Sequence, residues 1–297
     1  MTIVTTNDFH AKESLQEKGV YCITEKQALH QDIRGLRIGI LNVMPEADSY
    51  EESVLYPLGR TLIHIHPVWI KLKSQTYRQS QTNHVNREYV TFDEAISKRH
   101  LDGLIITGAP VETIAFEDVR YWDELVSILT YAKTNIASTL GVCWGGLALA
   151  KMLGIEKIPY TEKLFGVFKA RNIDRHHRIT GRLDDEFWIP QSRYAGIKDS
   201  VMEQNAKNGV VNLLAHSKDA GYTIFESPDH RYVAHLGHSE YEADRLVHEY
   251  IRDRDKGLKD VVRPVNVNIN RPVNIWRGHC HEFYGQWIKY VYETTPF

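Results

Sequence analysis

Residues 136–142 (IASTLGV) read as a mostly apolar strand that runs into Cys143 within Gly141-Val142-Cys143-Trp144-Gly145-Gly146, and a small-residue stretch, 145–153 (GGLALAKML), follows at once. Nothing else in the chain narrows the fold as far. A buried strand that turns straight into a helix needs a layered α/β architecture, with the turn at one edge of the sheet. The flanking glycines let the backbone bend sharply and let strand and helix approach closely. The turn holds the Cys143 thiol at a helix N-terminus, where the helix dipole favours a thiolate. The amide of Trp144 then faces the position of an oxyanion. The same residues also suit a buried cysteine ahead of an Ala/Gly-rich helix, so the elbow needs partners before it carries chemistry.

The surrounding pattern agrees with this architecture. Residues 36–44 (LRIGILNVM) read as a strand covered on both faces and ended by Pro45. Residues 62–70 alternate as a second strand, 101–107 form a third and 136–142 a fourth. Between the last two, 117–134 has helical periodicity, with Val119, Trp122, Leu125, Val126 and Leu129 on one face. Strand and helix in alternation predict a parallel sheet with right-handed crossovers. The second half changes to short strands at 210–215, 222–226 and 231–235, the last two joined by the turn Ser227-Pro228-Asp229. A helix over 241–255 follows, with Ala243, Leu246, Val247, Tyr250 and Ile251 on its apolar face. Residues 1–34 are read as an N-terminal arm with a short helix, 71–89 as a long surface loop, and 35–297 as a single α/β domain. The tetrapeptide RPVN at 263 and again at 271 lies in an extended loop.

Composition removes whole classes of function. The 297 residues are 42% hydrophobic and 25% charged, with 36 Lys and Arg against 38 Asp and Glu. No basic excess or stripe points to nucleic acid. No apolar run approaches the roughly 20 residues of a membrane helix, and the first residues lack an apolar signal core. Three widely spaced cysteines, Cys22, Cys143 and Cys280, form neither a disulfide framework nor a zinc motif. A cytoplasmic protein with free thiols is expected.

A thiol nucleophile needs a base, and fifteen histidines are available. His238 is the best placed. It follows a short apolar strand and Gly237, and Glu240 lies two residues on, where it can fix the imidazole tautomer and stabilise its charged form. His64 and His66 alternate on one strand and read as structural. His176-His177 and His279-Cys280-His281 have no partner at zinc spacing, so no metal is assigned.

On these residues the chain resembles the homoserine O-acyltransferase family of the homoserine transsuccinylase type. The resemblance extends over about 35–297 and is carried by LNVMP (41–45), DGLIITGAP (102–110), FEDVRYW (116–122), the cysteine elbow, TEKLFGV (161–167), QSRYA (191–195), GHSEY (237–241), EYIRD (249–253) and WRGH (276–279). It implies a flavodoxin-like, mostly parallel sheet flanked by helices, like that of class I glutamine amidotransferases. It implies a ping-pong reaction in methionine or cysteine biosynthesis: Cys143 takes an acyl group from an acyl-CoA, and an amino-acid hydroxyl deprotonated by His238 then receives it. Glu240 orients His238, and Arg252 looks like the partner of the amino acid's carboxylate. Lys163, Ser192 and Arg193 match other family active-site positions. The resemblance also implies no cofactor beyond the CoA thioester, and a homodimer is expected.

The position after TGAP-x varies in this family between glycine and glutamate, associated with succinyl and acetyl transfer. Here it is Glu112, whose carboxylate repels a succinyl tail and tolerates an acetyl group, so acetyl-CoA is the expected donor. Homoserine is the family's usual acceptor. Where family members carry lysines and an IETE-like stretch, however, this chain has acids at Glu46, Asp48, Glu51 and Glu52, and HSE replaces the usual HPE. L-Serine, one methylene shorter, is the natural competitor. A succinyltransferase, a glutamine amidotransferase subunit and a non-catalytic binding protein on the same fold are the rival readings.

Overall fold

The computed structural model describes residues 2–44, 46–77, 79–258 and 261–296; the expected strand end at Pro45 lies outside them. Strands β1 (Thr2–Val4) and β2 (Tyr21–Ile23) flank helix α1 (Lys12–Glu17), and α2 (Glu25–Ala28) follows. The chain then alternates through β3 (Leu36–Leu41), α3 (Ala47–Leu58), β4 (His64–Lys71), α4 (Gln79–Glu88), β5 (Val90–Thr91), α5 (Phe92–Lys98), β6 (Gly103–Ile106), α6 (Trp122–Asn135), β7 (Ser138–Val142) and α7 (Trp144–Met152). Two long strands, β8 (Ile158–Asn172) and β9 (Glu186–Gly196), precede α8 (Asp199–Lys207), and β10 (Asn212–Ser217), β11 (Gly221–Glu226), β12 (Tyr232–His235), α9 (Arg245–Asp255) and α10 (Arg277–Thr294) complete it.

Among the described residues, twelve strands join one sheet in the order β2-β1-β4-β3-β6-β7-β12-β11-β10-β8-β9, with β5 beside β4. Pairing is parallel from β2 across to β12 and antiparallel beyond. The expected α/β, mostly parallel sheet is therefore present. Its strands alternate between two cores, as a period of two requires. On β6, Ile105 faces a core shared with Val54 and Leu55 of α3 and with Trp287 and Val291 of α10. Leu104 and Ile106 face the opposite core, with Leu125 and Leu129 of α6 and Leu147 and Leu149 of α7.

Several boundaries differ from the sequence reading. The segment 1–34 contributes two strands to the sheet, with Ile3 opposite Ile65 of β4. Within 71–89, α4 replaces part of the expected loop and buries Val85. β3 stops at Leu41 because Asn42 folds the chain back. Its amide donates to Ala47 O at 3.1 Å and to the Tyr89 hydroxyl at 2.8 Å, and its Oδ1 accepts from Met44 N at 3.1 Å. The predicted helix over 241–255 begins only at Arg245, because Tyr241 N donates to His238 O at 3.1 Å in a turn. Among the described residues, no helix is long and apolar enough to cross a membrane.

Candidate active site

β7 delivers Cys143 with φ +52° and ψ −113°, in the left-handed half of the backbone map that L-residues avoid. Two glycines make the turn possible. A Cβ on Gly141 would lie 2.5 Å from the backbone of Gly145, and one on Gly145 would lie 2.4 Å from the Ile106 carbonyl oxygen. The turn is anchored by Cys143 N donating to His235 O at 2.8 Å, and Cys143 O accepts from Leu147 N at 3.1 Å as α7 starts. Trp144 N–H is thus at the first position of that helix, beside the sulfur's residue.

β12 runs parallel to β7 with His235 opposite Val142, so the two strands end level with each other. Gly237 then threads a tight gap, where a Cβ would lie 2.2 Å from the Ile189 side chain, and His238 N donates to Pro190 O at 2.8 Å. His238 Nδ1 meets Glu240 Oε1 at 2.7 Å, and Tyr50 donates its hydroxyl to the same oxygen at 2.8 Å. The other edge of the imidazole lies toward Cys143, and both side chains line the same cavity. Burial disfavours a charged imidazole, but attraction to Cys143 and Glu240 outweighs it and holds His238 well above the usual histidine range. For Glu240 burial is again the largest influence and pushes upward. The His238 charge and the hydrogen bonds overcome it, and the carboxyl stays below its ordinary value. The Tyr241 ring stacks on His238 at 4.2 Å and 17°. Thiol, imidazole and carboxylate thus stand in an order that could serve acyl transfer through a thioester.

Cys143 and His238 open into a cavity of about 340 Å³. Its far wall is polar. Glu249, buried on α9, accepts from Ser192 Oγ at 2.5 Å, from Lys163 Nζ at 3.2 Å and from the Tyr241 hydroxyl at 2.9 Å. Burial pushes Glu249 up, but Lys163 and these hydrogen bonds bring it below its usual value. Arg252 lies at the rim and pairs with Asp253 at 2.8 Å. Glu112 lines the same cavity and accepts from Tyr194 N at 3.3 Å. Glu46 and Met44 form the wall on the α3 side.

A family model described as homoserine O-succinyltransferase matches residues 2–297. The chain belongs to the homoserine O-succinyltransferase family. Relatives named homoserine O-acetyltransferase from Bacillus cereus (strain ATCC 10987 / NRS 248) and Bacillus thuringiensis subsp. konkukian (strain 97-27) are 38% and 39% identical over 304 residues. In both comparisons all of this chain and 99% of the relative are covered. Solved structures of glutamine amidotransferases resemble the fold: one from Methylobacillus flagellatus has a TM-score of 0.54 at 15% identity, covering 87% of this chain and 96% of its own. One from Thermotoga maritima has 0.51 at 13%, covering 88% and 97%. The protein is an acyltransferase on a class I glutamine amidotransferase-like fold.

In this homoserine O-succinyltransferase family member, Cys143, His238, Lys163, Ser192, Arg252 and Glu112 all line one cavity, and Glu240 stands directly behind His238. The Trp144 side chain is fully buried in the core, so the backbone amide is what remains for an oxyanion. Arg193 is elsewhere. Its guanidinium is buried and donates to Gln191 Oε1, the Tyr160 hydroxyl and the carbonyls of Ala195 and Ala220, all at 2.7–2.8 Å. On a strand, alternate side chains face opposite ways. Ser192 faces the cavity, and its neighbour Arg193 points into the protein and holds the end of β9. Tyr50 and Glu249 escaped the sequence reading. Tyr50 sits on a helix with no clear stripe, and Glu249 reads as one more charge on an amphipathic helix.

Proposed function

We propose that this acyltransferase moves an acetyl group from acetyl-CoA to the side-chain hydroxyl of a small amino acid through an acetyl-Cys143 intermediate. The Cys143 sulfur attacks the thioester carbonyl while the Trp144 amide stabilises the oxyanion. CoA leaves as its thiolate and takes the proton held by His238. The acceptor hydroxyl then loses its proton to His238 and attacks the acetyl carbonyl, and the Cys143 thiolate departs. Arg252 pairs with the acceptor's carboxylate. The observation that carries the acetyl reading is Glu112 in the same cavity as Cys143, where it repels a donor ending in a second carboxylate. The relatives' names agree with acetyl transfer.

L-Homoserine is the acceptor that the relatives' names point to. L-Serine is the second reading, favoured by Glu46 at the cavity wall in the acidic segment 46–52. Mass spectrometry of protein mixed with acetyl-CoA alone tests the mechanism, with one acetyl group expected on Cys143. A label on another cysteine, or no acyl-protein in rapid-quench samples, refutes it. Comparison of kcat/KM for L-homoserine and L-serine then assigns the acceptor.

A further inference from the structure

A second group of ligating side chains lies away from the acyl cavity, where three segments distant in sequence meet. His10 stands in the turn before α1, Glu51 is on α3 and His84 on α4. One ring nitrogen of each histidine and one carboxylate oxygen lie within 4.8 Å of one another. Glu51 is fully buried, yet its Oε2 has no hydrogen-bond partner. Oε1 takes all the donors, the Tyr89 hydroxyl at 2.7 Å and His84 Nε2 at 2.6 Å. A buried carboxylate oxygen with nothing to bind is costly. A cation between Oε2 and the two imidazoles removes that cost.

The proton on His10 is placed for this. Its Nε2 lies 3.3 Å from the backbone carbonyl of Asp48, which can only accept. Nε2 therefore holds the proton, and Nδ1 presents its lone pair 3.7 Å from Glu51 Oε2. Two ligands at roughly 2.1 Å from one tetrahedral ion stand about 3.4 Å apart, close to that separation. The His10 and His84 rings meet edge to face, 5.1 Å between centroids and 89° between planes. His84 must give up its hydrogen bond to Oε1 and carry its proton on Nδ1, which, among the described residues, no backbone N–H fixes as an acceptor in the way that His177 Nδ1 is fixed. The His10 side chain is 39% exposed, which leaves an ion a way in.

A second trio, His177, Glu226 and His230, has similar spacing and fails on tautomer. His177 Nδ1 accepts from Ile179 N at 3.2 Å and from Thr180 N at 3.3 Å. Its Nε2 must then carry the proton, which it donates to Glu226 at 3.0 Å, and no lone pair faces the carboxylate. The two clusters thus separate by chemistry.

The geometry points to a divalent transition-metal site formed by His10, Glu51 and His84, with a fourth position open to water. Two imidazoles and one carboxylate suit zinc, cobalt or nickel better than magnesium or calcium, which prefer all-oxygen shells. An ion bound there ties the turn before α1 to α3 and α4. Its carboxylate ligand, Glu51, follows Tyr50 on α3, the residue whose hydroxyl holds Glu240.

Cobalt(II) titration of the full chain tests this, read by visible d–d absorption and by calorimetry. The result expected is one ion per chain, displaced by equimolar zinc and retained in Cys143→Ser. Affinity should fall at least tenfold in His10→Ala and in His84→Ala, and stay unchanged in His230→Ala. His10 is exposed, so His10→Ala remains informative if the His84 variant does not fold. Absence of saturable one-to-one binding by the unmodified protein overturns the site, as does binding that survives both histidine variants. Loss of binding in Cys143→Ser or His230→Ala moves the ion elsewhere and overturns it equally. Equal affinity for magnesium overturns the choice of metal class.

Discussion

Replacing Tyr50 with Phe deletes a single hydroxyl two bonds' reach behind His238. In the wild-type protein that hydroxyl donates to Glu240 Oε1 at 2.8 Å, in a pocket from which both residues exclude water. A hydrogen bond to a charged group is worth about 1.5–3 kcal/mol. Losing that bond should raise the pKa of Glu240 in the variant. The sign follows from the wild-type direction. Glu240 is held below its ordinary value, so its contribution to stability is present above the unfolded-state pKa and is lost as pH falls through the folded value. In Tyr50→Phe that loss begins at higher pH. Stability at neutral pH falls by about the same 1.5–3 kcal/mol, and the acid limb of Cys143 acetylation moves upward. Urea unfolding gives the first quantity, and rapid-quench mass measurement of acetyl-protein across pH gives the second. An unchanged urea midpoint together with an unchanged acid limb would refute the reasoning. Lost stability with an unmoved acid limb would mean that Tyr50 only fills space.

Three further outcomes are expected. Glu112→Gly should raise the ratio of kcat/KM for succinyl-CoA over acetyl-CoA, measured by CoA release with each donor. If the ratio stays put, donor choice lies elsewhere in the cavity. Arg252→Ala should slow transfer to the amino acid by about tenfold, the lower end for a charge-assisted contact because the side chain is 47% exposed, and should leave acetylation of Cys143 intact. Equal slowing of both half-reactions, measured by quench flow, would assign Arg252 a structural role. Gly145→Ala should cost about 1–3 kcal/mol in urea unfolding, because its Cβ would meet the Ile106 carbonyl oxygen, which belongs to the sheet and cannot retreat.

The parallel half of the sheet was readable because its strands are covered on both faces. Short apolar runs such as 103–106, and fully buried segments such as 138–142, have few alternatives in a layered α/β chain. The elbow was readable because its glycines are sterically required, as the Cβ distances at Gly141 and Gly145 demonstrate. Other elements left weaker signals. β1 and β2 are three residues each and gain their stability from neighbours in the sheet, not from local pattern. α3 begins on acids and holds Pro57 in its last turn, so its buried residues Tyr50, Val54, Leu55 and Leu58 do not stand out. In α10 aromatic residues and glycines obscure the stripe, although Trp287 is fully buried and donates to Ser138 Oγ at 3.1 Å. His238 and Glu240 were legible as a pair. The placement of Arg193 was not, because adjacent residues on a strand part to opposite faces and the sequence does not say which face the cavity occupies.

The level ends of β7 and β12 have a consequence for how this protein can change. Cys143 and His238 owe their separation to a backbone ladder in which Val142 stands opposite His235. A slip of one residue would carry one of them about 3.3 Å along the strand and turn its neighbours to the wrong face. Glu112 follows β6 in a loop, Glu46 precedes α3, and Arg252 rides on α9, all outside that ladder. Mutations that retune the choice of donor or acceptor therefore need not disturb the reacting pair. Directed evolution confined to Met44, Glu46, 109–115 and 252–258, with Tyr50 and Glu249 left in place, can explore new substrates on an unchanged catalytic frame.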